Sequence, residues 1–361
     1  MNEDLPIADG LLCYCRPGFE PELAAELSER AALAGFSGYA RTQRHAGFVL
    51  YLGADGAALS RALPFKDLIF ARQKLRFLAE LQDVDPKDRI APLLEALGGR
   101  GRHGDLMVEH PDSDEARPLA GLARSFGNAL RPALRQRGLL TEKEDARLAR
   151  LHVCFLAGDH LLLGSGDIAD SSPWSLGVPR LRALSEAPSR SALKLEEAIL
   201  TLMLPAEREK WVRPGMCAAD LGAAPGGWSW ILARHHFKVI AVDNGPMAES
   251  ALDTGLVEHV RADGFSWSPP KPQDWLVCDM VESPRRVATR MAEWFSRGWC
   301  RHAIFNLKLS MKKRWDETRY CLDAFTEQAG RPLTIRARQL YHDREEITVF
   351  ASDPAAKERM L

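Results

Sequence analysis

The sequence lacks several features that define whole classes of proteins. No apolar run reaches the roughly 20 residues that a helix needs to span a bilayer, and the acidic first residues do not form the basic start of a secretion signal. The seven cysteines are scattered, with only Cys13 and Cys15 close together, so the sequence indicates neither a disulfide framework nor a zinc site. We therefore expect a cytoplasmic protein with reduced thiols, no metal and no attachment to a membrane.

An excess of positive charge is also missing. The 48 Lys and Arg residues are balanced by 49 Asp and Glu residues, which gives a net charge of −1. Proteins that bind nucleic acids usually have a basic face, because contacts to phosphates supply much of the affinity. Any surface for a nucleic acid must therefore be a local concentration of basic residues. The hydrophobic fraction of 46% with 27% charged residues is otherwise typical of a folded globular chain.

The 361 residues are enough for two or three domains. Strands alternate with amphipathic helices in the first half, and a stretch rich in Gly, Ser and Pro then interrupts the pattern. The longest helix of this half is predicted at 116–137, with interruptions at Pro118 and Pro132. We predict a small α+β domain, a second α+β domain, a linker and a C-terminal domain, at residues 1–60, 61–165, 166–188 and 189–361.

The C-terminal domain alternates short apolar runs with helical patterns. Such alternation over this length predicts an α/β fold, a mostly parallel, doubly wound sheet covered by helices on both faces. The predicted strands cover 216–221, 238–242, 275–278, 303–307, 333–340 and 347–351.

A glycine-rich segment, from Asp220 to Trp228, follows the first of these strands and opens a helix. Glycine allows a ligand to approach the backbone closely, and a helix N-terminus presents free N–H groups to it. The spacing is neither that of a dinucleotide-binding loop nor, without a Lys-Ser/Thr pair, that of a P-loop. Glycines of this kind can also simply turn a tight corner, so the neighbouring acidic residues decide between the two interpretations.

Three acidic residues follow successive strand candidates: Asp243, Asp263 and Asp279. The carboxyl ends of strands in such sheets converge on a ligand-binding crevice. Asp243 is suited to accept both hydroxyls of a ribose, and Asp263 is suited to contact an adenine amino group. These positions favour a nucleoside-containing cofactor over a simple corner.

The loop and these acids resemble the FtsJ-like family of ribosomal RNA 2′-O-ribose methyltransferases. The resemblance implies a Rossmann-like domain with a mostly parallel seven-stranded sheet that binds S-adenosylmethionine and no metal. The residues it implies for the cofactor are Ser191, Gly222, Ala224, Pro225, Gly226, Gly227, Trp228, Asp243, Asp263 and Asp279.

The resemblance also implies a catalytic tetrad, which matches in chain order Lys194, Asp279, Lys308 and Glu346. We assign Lys308 as the general base for a ribose 2′-hydroxyl. A lysine can act as a base only if its pKa falls from about 10.4 toward neutrality. Burial and the Lys194 ammonium are expected to lower the pKa, and the two carboxylates to raise it. Glu345 remains an alternative to Glu346, because the two are adjacent.

Other methyl acceptors fit the sequence less well. Amino-directed enzymes carry an Asn/Asp-Pro-Pro-Tyr/Phe loop after the fourth strand, whereas this chain has Asp279 followed by Met-Val-Glu-Ser-Pro. Cytosine C5 enzymes need a nucleophilic cysteine, but Cys278 lies inside a predicted buried strand and is interpreted as an inert thiol.

The N-terminal half extends the resemblance. Residues 61–165 resemble a THUMP domain, an RNA-binding module, and the segment from Tyr14 to Glu20 resembles the small ferredoxin-like domain that precedes it. Together with the tetrad they are similar to the RlmM family, which implies methylation of a cytidine in the peptidyl-transferase loop of 23S rRNA before ribosome assembly. Another RNA, such as tRNA, and an inactive RNA-binding assembly factor remain as alternatives. We expect a monomer.

Local basic clusters can supply an RNA-binding surface despite the balanced total charge. The candidates are Lys308, Lys312, Lys313, Arg314, Arg331, Arg336, Arg338 and Arg344 in the C-terminal domain, and Arg100, Arg102, His103, Arg124, Arg131, Arg135 and Arg137 before it.

Overall fold

The computed structural model describes residues 9–182 and 184–355. The chain forms two units, Met1–Pro179 and Arg180–Leu361.

The first unit is built on a seven-stranded sheet in which the strand order is β2-β3-β1-β4-β7-β6-β5. Only β5 and β6 pair in parallel; the other neighbours are antiparallel. Its strands are β1 (Gly10–Tyr14), β2 (Tyr39–Thr42), β3 (Phe48–Leu52), β4 (Gln73–Leu81), β5 (Asp105–Glu109), β6 (Arg150–Ala157) and β7 (His160–Gly166).

Helices cover this sheet because their apolar residues recur on one face. In the longest one, Ala123, Phe126, Leu130 and Leu134 are buried at spacings of three or four residues. This helix continues through Pro132, contrary to the expected interruption, whereas Pro118 lies in a short 3₁₀ turn before it. The helices are α1 (Glu20–Leu33), α2 (Gly56–Ala62), α3 (Ile90–Ala96) and α4 (Ala120–Gln136).

Part of the expected linker is ordered against the first sheet. The side-chain amide of Gln73 donates to the Ser172 carbonyl over 3.0 Å, and its oxygen accepts from the Ser172 N–H over 2.8 Å. The Leu176 N–H donates to Glu109 over 2.6 Å. The same sheet also continues across the domain boundary expected after residue 60.

The second unit contains the predicted Rossmann-like sheet. It is seven-stranded in the order β10-β9-β8-β11-β12-β14-β13, parallel except for the two pairs made by β14. This confirms the predicted fold class. The strands are β8 (Cys217–Leu221), β9 (Lys238–Val242), β10 (Val257–Val260), β11 (Trp275–Cys278), β12 (His302–Lys308), β13 (Thr334–Arg338) and β14 (Glu346–Ser352).

The central strands are apolar on both sides because helices pack on both faces of a parallel sheet. Trp275, Phe237 and Ile304 are buried in one such core, against residues of the helices that precede and follow β8. The helices are α5 (Ala192–Leu202), α6 (Pro205–Trp211), α7 (Gly227–Arg234), α8 (Glu249–Leu252), α9 (Pro284–Ser296) and α10 (Arg314–Ala329).

The antiparallel strand β14 has a direct consequence for the site. Because it runs against β12, its first residue, Glu346, is paired in register with Lys308, the last residue of β12. The carboxyl ends of β8, β9, β11 and β12 lie at this same edge of the sheet.

Candidate active site

The four residues of the predicted tetrad meet at the carboxyl edge of the second sheet. Asp279 directly follows β11, and Lys194 lies in the first turn of α5. The Lys308 Nζ donates to Asp279 Oδ1 over 2.6 Å and to Glu346 Oε2 over 2.7 Å. The Lys194 Nζ donates to Asp279 Oδ2 over 3.5 Å and also to Glu346 Oε1. Two ammonium groups therefore share two carboxylates in a closed arrangement.

The electrostatics differ from the expectation for a resting base. Burial acts to lower the pKa of Lys308, but the charges of Asp279 and Glu346 outweigh it, so the pKa is raised above its ordinary value. Burial acts to raise the pKa of Glu346, but the two lysines hold it below its usual range. Lys308 is consequently protonated in this arrangement at neutral pH.

The two adjacent glutamates face different partners. Glu346 is buried and contacts both lysines, whereas the Glu345 side chain is 53% exposed and pairs with Arg314. The period of two along a strand puts consecutive side chains on opposite faces. The geometry therefore brings Glu346, and not Glu345, to the lysines.

The glycine-rich loop leads from β8 into α7 and is closely packed. Gly222 has a φ of +73°, and a Cβ there would collide with Met280 Cγ. Gly226 has a φ of +111°, and its Cβ would lie 2.8 Å from Ala251 Cβ. A Cβ on Gly227 would lie 2.6 Å from the Ser191 hydroxyl. Gly222 and Gly226 combine a left-handed backbone with close neighbours, so glycine is required there. At Gly227 a Cβ would require the serine hydroxyls to move.

The acidic residues expected to hold the cofactor lie around this loop. Asp243, directly after β9, accepts from the Ala224 N–H over 2.9 Å and from the Gly245 N–H over 2.7 Å, so it fixes the loop. Asp263 is exposed and accepts from the Phe265 N–H over 2.9 Å. The next residue, Gly264, packs against Gly222 and Met280, which brings this turn to the crevice.

Ser191 and Trp228 have structural contacts that the sequence did not reveal. The Trp228 side chain is buried in the core, and its indole N–H donates to the Ser191 carbonyl over 2.9 Å. The Ser191 hydroxyl lies 2.6 Å from the Ser189 hydroxyl and makes no capping hydrogen bond to α5. Both residues tie the start of α5, and with it Lys194, to the glycine-rich loop.

Two buried polar residues beside the site were not selected from the sequence. Asp220 accepts from the Ser229 hydroxyl over 2.7 Å, and burial raises the pKa of this carboxyl to about 7. Asn306 donates to Asp279 over 2.8 Å. A polar residue two positions before Lys308, inside a buried strand, lies on the same face as Lys308, and this spacing could have identified Asn306.

Most of the predicted basic clusters are used within the protein. Arg336 pairs with Glu207 over 2.6 Å, and Arg331 pairs with Asp353 over 3.0 Å. Arg314 and Arg338 are buried. In the first unit, Arg131 pairs with Asp105, Arg135 and Arg100 donate to backbone carbonyls, and His103 is buried. The basic residues that are exposed are Arg102, Arg124 and Arg137 in the first unit, and Lys312, Lys313 and Arg344 in the second.

Three other features considered from the sequence are a nucleophilic cysteine, a metal site and a membrane-spanning helix. Burial raises the pKa of the Cys278 thiol to about 12, so this cysteine is not a nucleophile at neutral pH. Within residues 9–182 and 184–355, no cluster of His, Cys, Asp and Glu has the arrangement of a metal site. No helix in the same residues is both long enough and apolar enough to cross a bilayer.

Three segments of the chain match known families. Residues 8–75 match the RlmM ferredoxin-like domain. Residues 88–166 match the N-terminal region of ribosomal RNA large subunit methyltransferase M. Residues 187–315 match the FtsJ-like methyltransferases.

Relatives match over nearly the whole chain. The chain is 69% identical over 342 residues to ribosomal RNA large subunit methyltransferase M of Xanthomonas campestris pv. campestris (strain B100), covering 95% of this chain and 99% of that one. It is 67% identical over 343 residues to the protein of the same name from Stenotrophomonas maltophilia (strain R551-3), covering 95% and 97%. A solved structure of a possible methylase from Clostridium difficile 630 covers 98% of this chain and 100% of that chain at 12% identity, but the TM-score of 0.37 is too low to support an argument.

Identity at this level over nearly the whole chain, together with the FtsJ-like domain, settles the family and its cofactor, S-adenosylmethionine. The chain therefore belongs to the family of ribosomal RNA large subunit methyltransferase M, whose members are S-adenosylmethionine-dependent methyltransferases.

Proposed function

We propose that this chain methylates the ribose 2′-hydroxyl of a cytidine in the peptidyl-transferase loop of 23S rRNA. The observation that carries the proposal is the position of Lys308, held by Asp279 and Glu346 at the edge of the sheet where the glycine-rich loop lies. The names of its relatives supply the large-subunit rRNA, and the resemblance to the RlmM family supplies the cytidine.

The residues around the crevice fit S-adenosylmethionine. No side chain caps the start of α7 among the described residues, so no capping side chain competes with a ligand for the N–H groups of its first turn. Asp243 keeps lone pairs for the ribose hydroxyls beyond the two N–H groups it accepts, and Asp263 is exposed for the adenine amino group. When bound, the cofactor supplies an electrophilic methyl group on a positively charged sulfur.

Lys308 accepts the proton of the 2′-hydroxyl at its Nζ, and to do so it must first be neutral. With both lysines charged, the tetrad balances two positive and two negative groups. A positive charge added beside the tetrad, whose own four charges cancel, favours the loss of a proton from one of its two lysines. The reason is that like charges repel in a partly buried site. Lys308 therefore becomes a base more readily in the cofactor complex than in the arrangement described above.

Asp279 and Glu346 hold the Lys308 Nζ from two sides, which fixes the direction in which it can accept a proton. Lys194 contacts the same two carboxylates and keeps them in place when Lys308 is neutral. This division of roles places one lysine at the reacting hydroxyl and the other in support. Such positioning contributes much of the rate of a transfer that needs an in-line approach.

The rim of the site is suited to an unstacked nucleotide. Val281 and Met311, which follow Asp279 and Lys308 along the chain, are 90% and 80% exposed, and Tyr341 is 39% exposed in the loop before Glu346. Lys312, Lys313 and Arg344 are exposed in the same loops. RNA bases pack on apolar and aromatic side chains while basic residues contact the phosphates.

The proposed function also includes a role for the first unit and a particular state of the rRNA substrate. We propose that residues 61–165 act as a THUMP-like RNA-binding module, following the small domain of residues 1–60. The substrate is free 23S rRNA or an early assembly intermediate, in the cytoplasm, because the loop is enclosed in the assembled subunit. The protein acts as a monomer.

Mapping the product tests the proposed function. The purified chain, S-adenosylmethionine and a 23S rRNA transcript should give one nucleotide that resists alkaline hydrolysis, since a methylated 2′-oxygen cannot attack the neighbouring phosphate. Methylation of a base, or of tRNA in preference to 23S rRNA, would contradict the proposed acceptor. RNA binding without any methyl transfer would instead support the inactive assembly factor.

A further inference from the structure

A chain of buried polar side chains extends from the tetrad into the sheet. Asn306, on β12, donates from Nδ2 to Asp279 Oδ1 over 2.8 Å. Its Oδ1 lies 2.7 Å from the hydroxyl of Thr348 on β14. That hydroxyl lies 3.2 Å from Oδ1 and 3.0 Å from Oδ2 of Asp343. Asn306, Thr348 and Asp343 are all buried, and buried polar groups of this kind are normally hydrogen-bonded.

The direction of each hydrogen bond follows from the charge at one end. Asp279 contacts two ammonium groups and is a carboxylate, so Asn306 must turn its NH₂ group toward it. The Asn306 oxygen then faces Thr348, which must donate its single hydroxyl proton there. Toward Asp343 the Thr348 hydroxyl can only accept.

Asp343 must therefore carry a proton. Its Oδ2 accepts from the Leu340 N–H over 2.9 Å, so we assign the proton to Oδ1, which lies 3.2 Å from the Thr348 hydroxyl. The surroundings of Asp343 also favour its protonated form. Burial, together with the nearby negative charge of Glu346, raises the pKa of Asp343 to about 8. Glu197 acts in the same direction, whereas the Leu340 N–H and Lys194 act to lower this pKa.

We propose that Asp343, in its neutral acid form, positions Asp279 through Thr348 and Asn306, and thereby fixes Asp279 against Lys308. Asp279 Oδ1 is shared between Asn306 and Lys308, so the amide of Asn306 prevents this oxygen from turning away from the base. None of the three residues needs to touch the substrate; they are positioning residues. The inference rests on the proposed function, because it assigns their effect to the Lys308-dependent step.

Two variants of Thr348 separate positioning from packing. Thr348→Val keeps the shape of the side chain and removes the hydroxyl, while Thr348→Ser keeps the hydroxyl and removes the methyl group. We expect Thr348→Val to lower kcat about tenfold with KM for RNA and for S-adenosylmethionine within about twofold, and Thr348→Ser to stay within about threefold of the wild type. Equal kcat values for the two variants would overturn the proposal.

The protonation of Asp343 is tested by the pH dependence of kcat. Asp343→Asn has an NH₂ group that can donate to Thr348 and an oxygen that can accept from Leu340, whatever the pH. The rise in kcat that depends on neutral Lys308 is common to both proteins, so the test is the ratio of their kcat values. We expect kcat of the wild type relative to kcat of Asp343→Asn to fall as the pH rises through about 8, where Asp343 ionises. A ratio that does not change with pH, or a loss of kcat at neutral pH in Asp343→Asn as large as in Asp343→Ala, would overturn the proposal.

Cofactor affinity and the melting temperature show that each variant is folded. If the wild type transfers no methyl group to rRNA, the proposed function fails. If the wild type is active and depends on Lys308 but Thr348→Val and Thr348→Ser do not differ, only the positioning chain fails.

Discussion

Lys308 has two anionic partners, and they control the pH range in which it can act as a base. Because a general base works in its neutral form, kcat is expected to rise as the pH passes the pKa of Lys308 in the substrate complex. The contacts of 2.6 and 2.7 Å to Asp279 and Glu346 favour the charged form and move this rise to higher pH.

Glu346→Gln should move the rise to lower pH. The substitution removes one of the two negative charges that raise the pKa of Lys308. Burial, which lowers this pKa, is then opposed by one negative charge and not by two. We expect the ascending limb of the kcat–pH profile to shift to lower pH, with a lower maximum because one contact to each lysine is weakened. Glu345→Gln, at an exposed neighbour paired with Arg314, is the control and should leave the limb in place. An ascending limb that lies at the same pH or at higher pH in Glu346→Gln than in the wild type would contradict this explanation.

The sequence predicted which four side chains meet at this edge of the sheet, but it did not predict their electrostatics. Lys194, Asp279, Lys308 and Glu346 could be chosen from their order along the chain, and the structure brings their side chains into contact. The raised pKa of Lys308 could not be chosen in that way, because its sign depends on the distances to two carboxylates whose charges oppose the effect of burial.

The sequence also did not show which basic residues are available to bind RNA. Arg314 and Arg336 were expected on an RNA surface, but each pairs with a glutamate of its own unit. A sequence shows the sign of a residue and not its partner, so it overestimates the number of arginines available to a ligand.

At the scale of elements, the glycine-rich loop is defined by the space around it. Gly222→Ala would combine a left-handed backbone with a collision at Met280, in the loop that lines the crevice. We expect the affinity for S-adenosylmethionine, measured by calorimetry, to fall at least about tenfold. Gly255→Ala is the matched control, since Gly255 has a similar φ of +67° but nothing within 4 Å of an added Cβ. It should cost about 1 kcal/mol of stability and leave the affinity unchanged; equal affinity losses in both variants would contradict a special role for the loop.

The loops after β11 and β12 carry the apolar rim. Replacing both Val281 and Met311 by Ser should raise KM for RNA by about threefold to tenfold, because apolar area that packs on the nucleotide is lost. kcat should stay within about twofold, since the proposed role of the rim residues is to bind the nucleotide and not to take part in the proton transfer. Leu252→Ser, at a residue on α8 that is 38% exposed, is the control. The rim is not part of the RNA site if the double variant and the control have the same KM.

Element boundaries were predicted best where buried strands are bounded by polar residues. The strands at Lys238–Val242 and Trp275–Cys278 match their predicted bounds, because each is a short apolar run. The strand at Tyr39–Thr42 was missed, because it is a short edge strand with mostly exposed residues. The edge strand at Val257–Val260 was expected before Asp263, but its bounds were not predicted, because its residues are exposed or half-buried. The ordered residues around Ser172 and Leu176 were taken for a linker, because tertiary hydrogen bonds hold them and no periodicity marks them.

At the scale of the whole molecule, the buried histidine of β12 links stability to pH. His302 lies against Trp211 and Trp275, with ring centroids 4.6 and 5.0 Å away, and its Nδ1 is 2.9 Å from the Ser352 hydroxyl. Burial, together with the charge of Arg301, lowers its pKa from 6.5 to about 3. Between these pH values the unfolded chain binds a proton that the folded chain does not, so stability falls as the pH falls.

We expect His302 to remove about 2 kcal/mol from the free energy of unfolding between about pH 7.5 and pH 5. Urea denaturation followed by tryptophan fluorescence reports on the second unit, because of the nine tryptophans only Trp174 precedes residue 180. Asp220 and Asp343 have raised pKa values and act in the opposite direction. The contribution of His302 is therefore obtained by comparing the pH dependence of the free energy of unfolding in the wild type with that in His302→Asn. Equal pH dependences in the two proteins would contradict the assignment to His302.

The account of the whole molecule depends on Lys308 as the acceptor of the ribose proton. The most direct measurement is the single-turnover rate of methyl transfer to 23S rRNA at saturating RNA and cofactor, for the wild type and Lys308→Ala. Lys238→Ala, at an exposed lysine that begins β9, is the control. The account predicts a loss of at least about 100-fold in Lys308→Ala, unchanged affinity for S-adenosylmethionine and a wild-type rate in the control. A rate in Lys308→Ala within about tenfold of the wild type would contradict it.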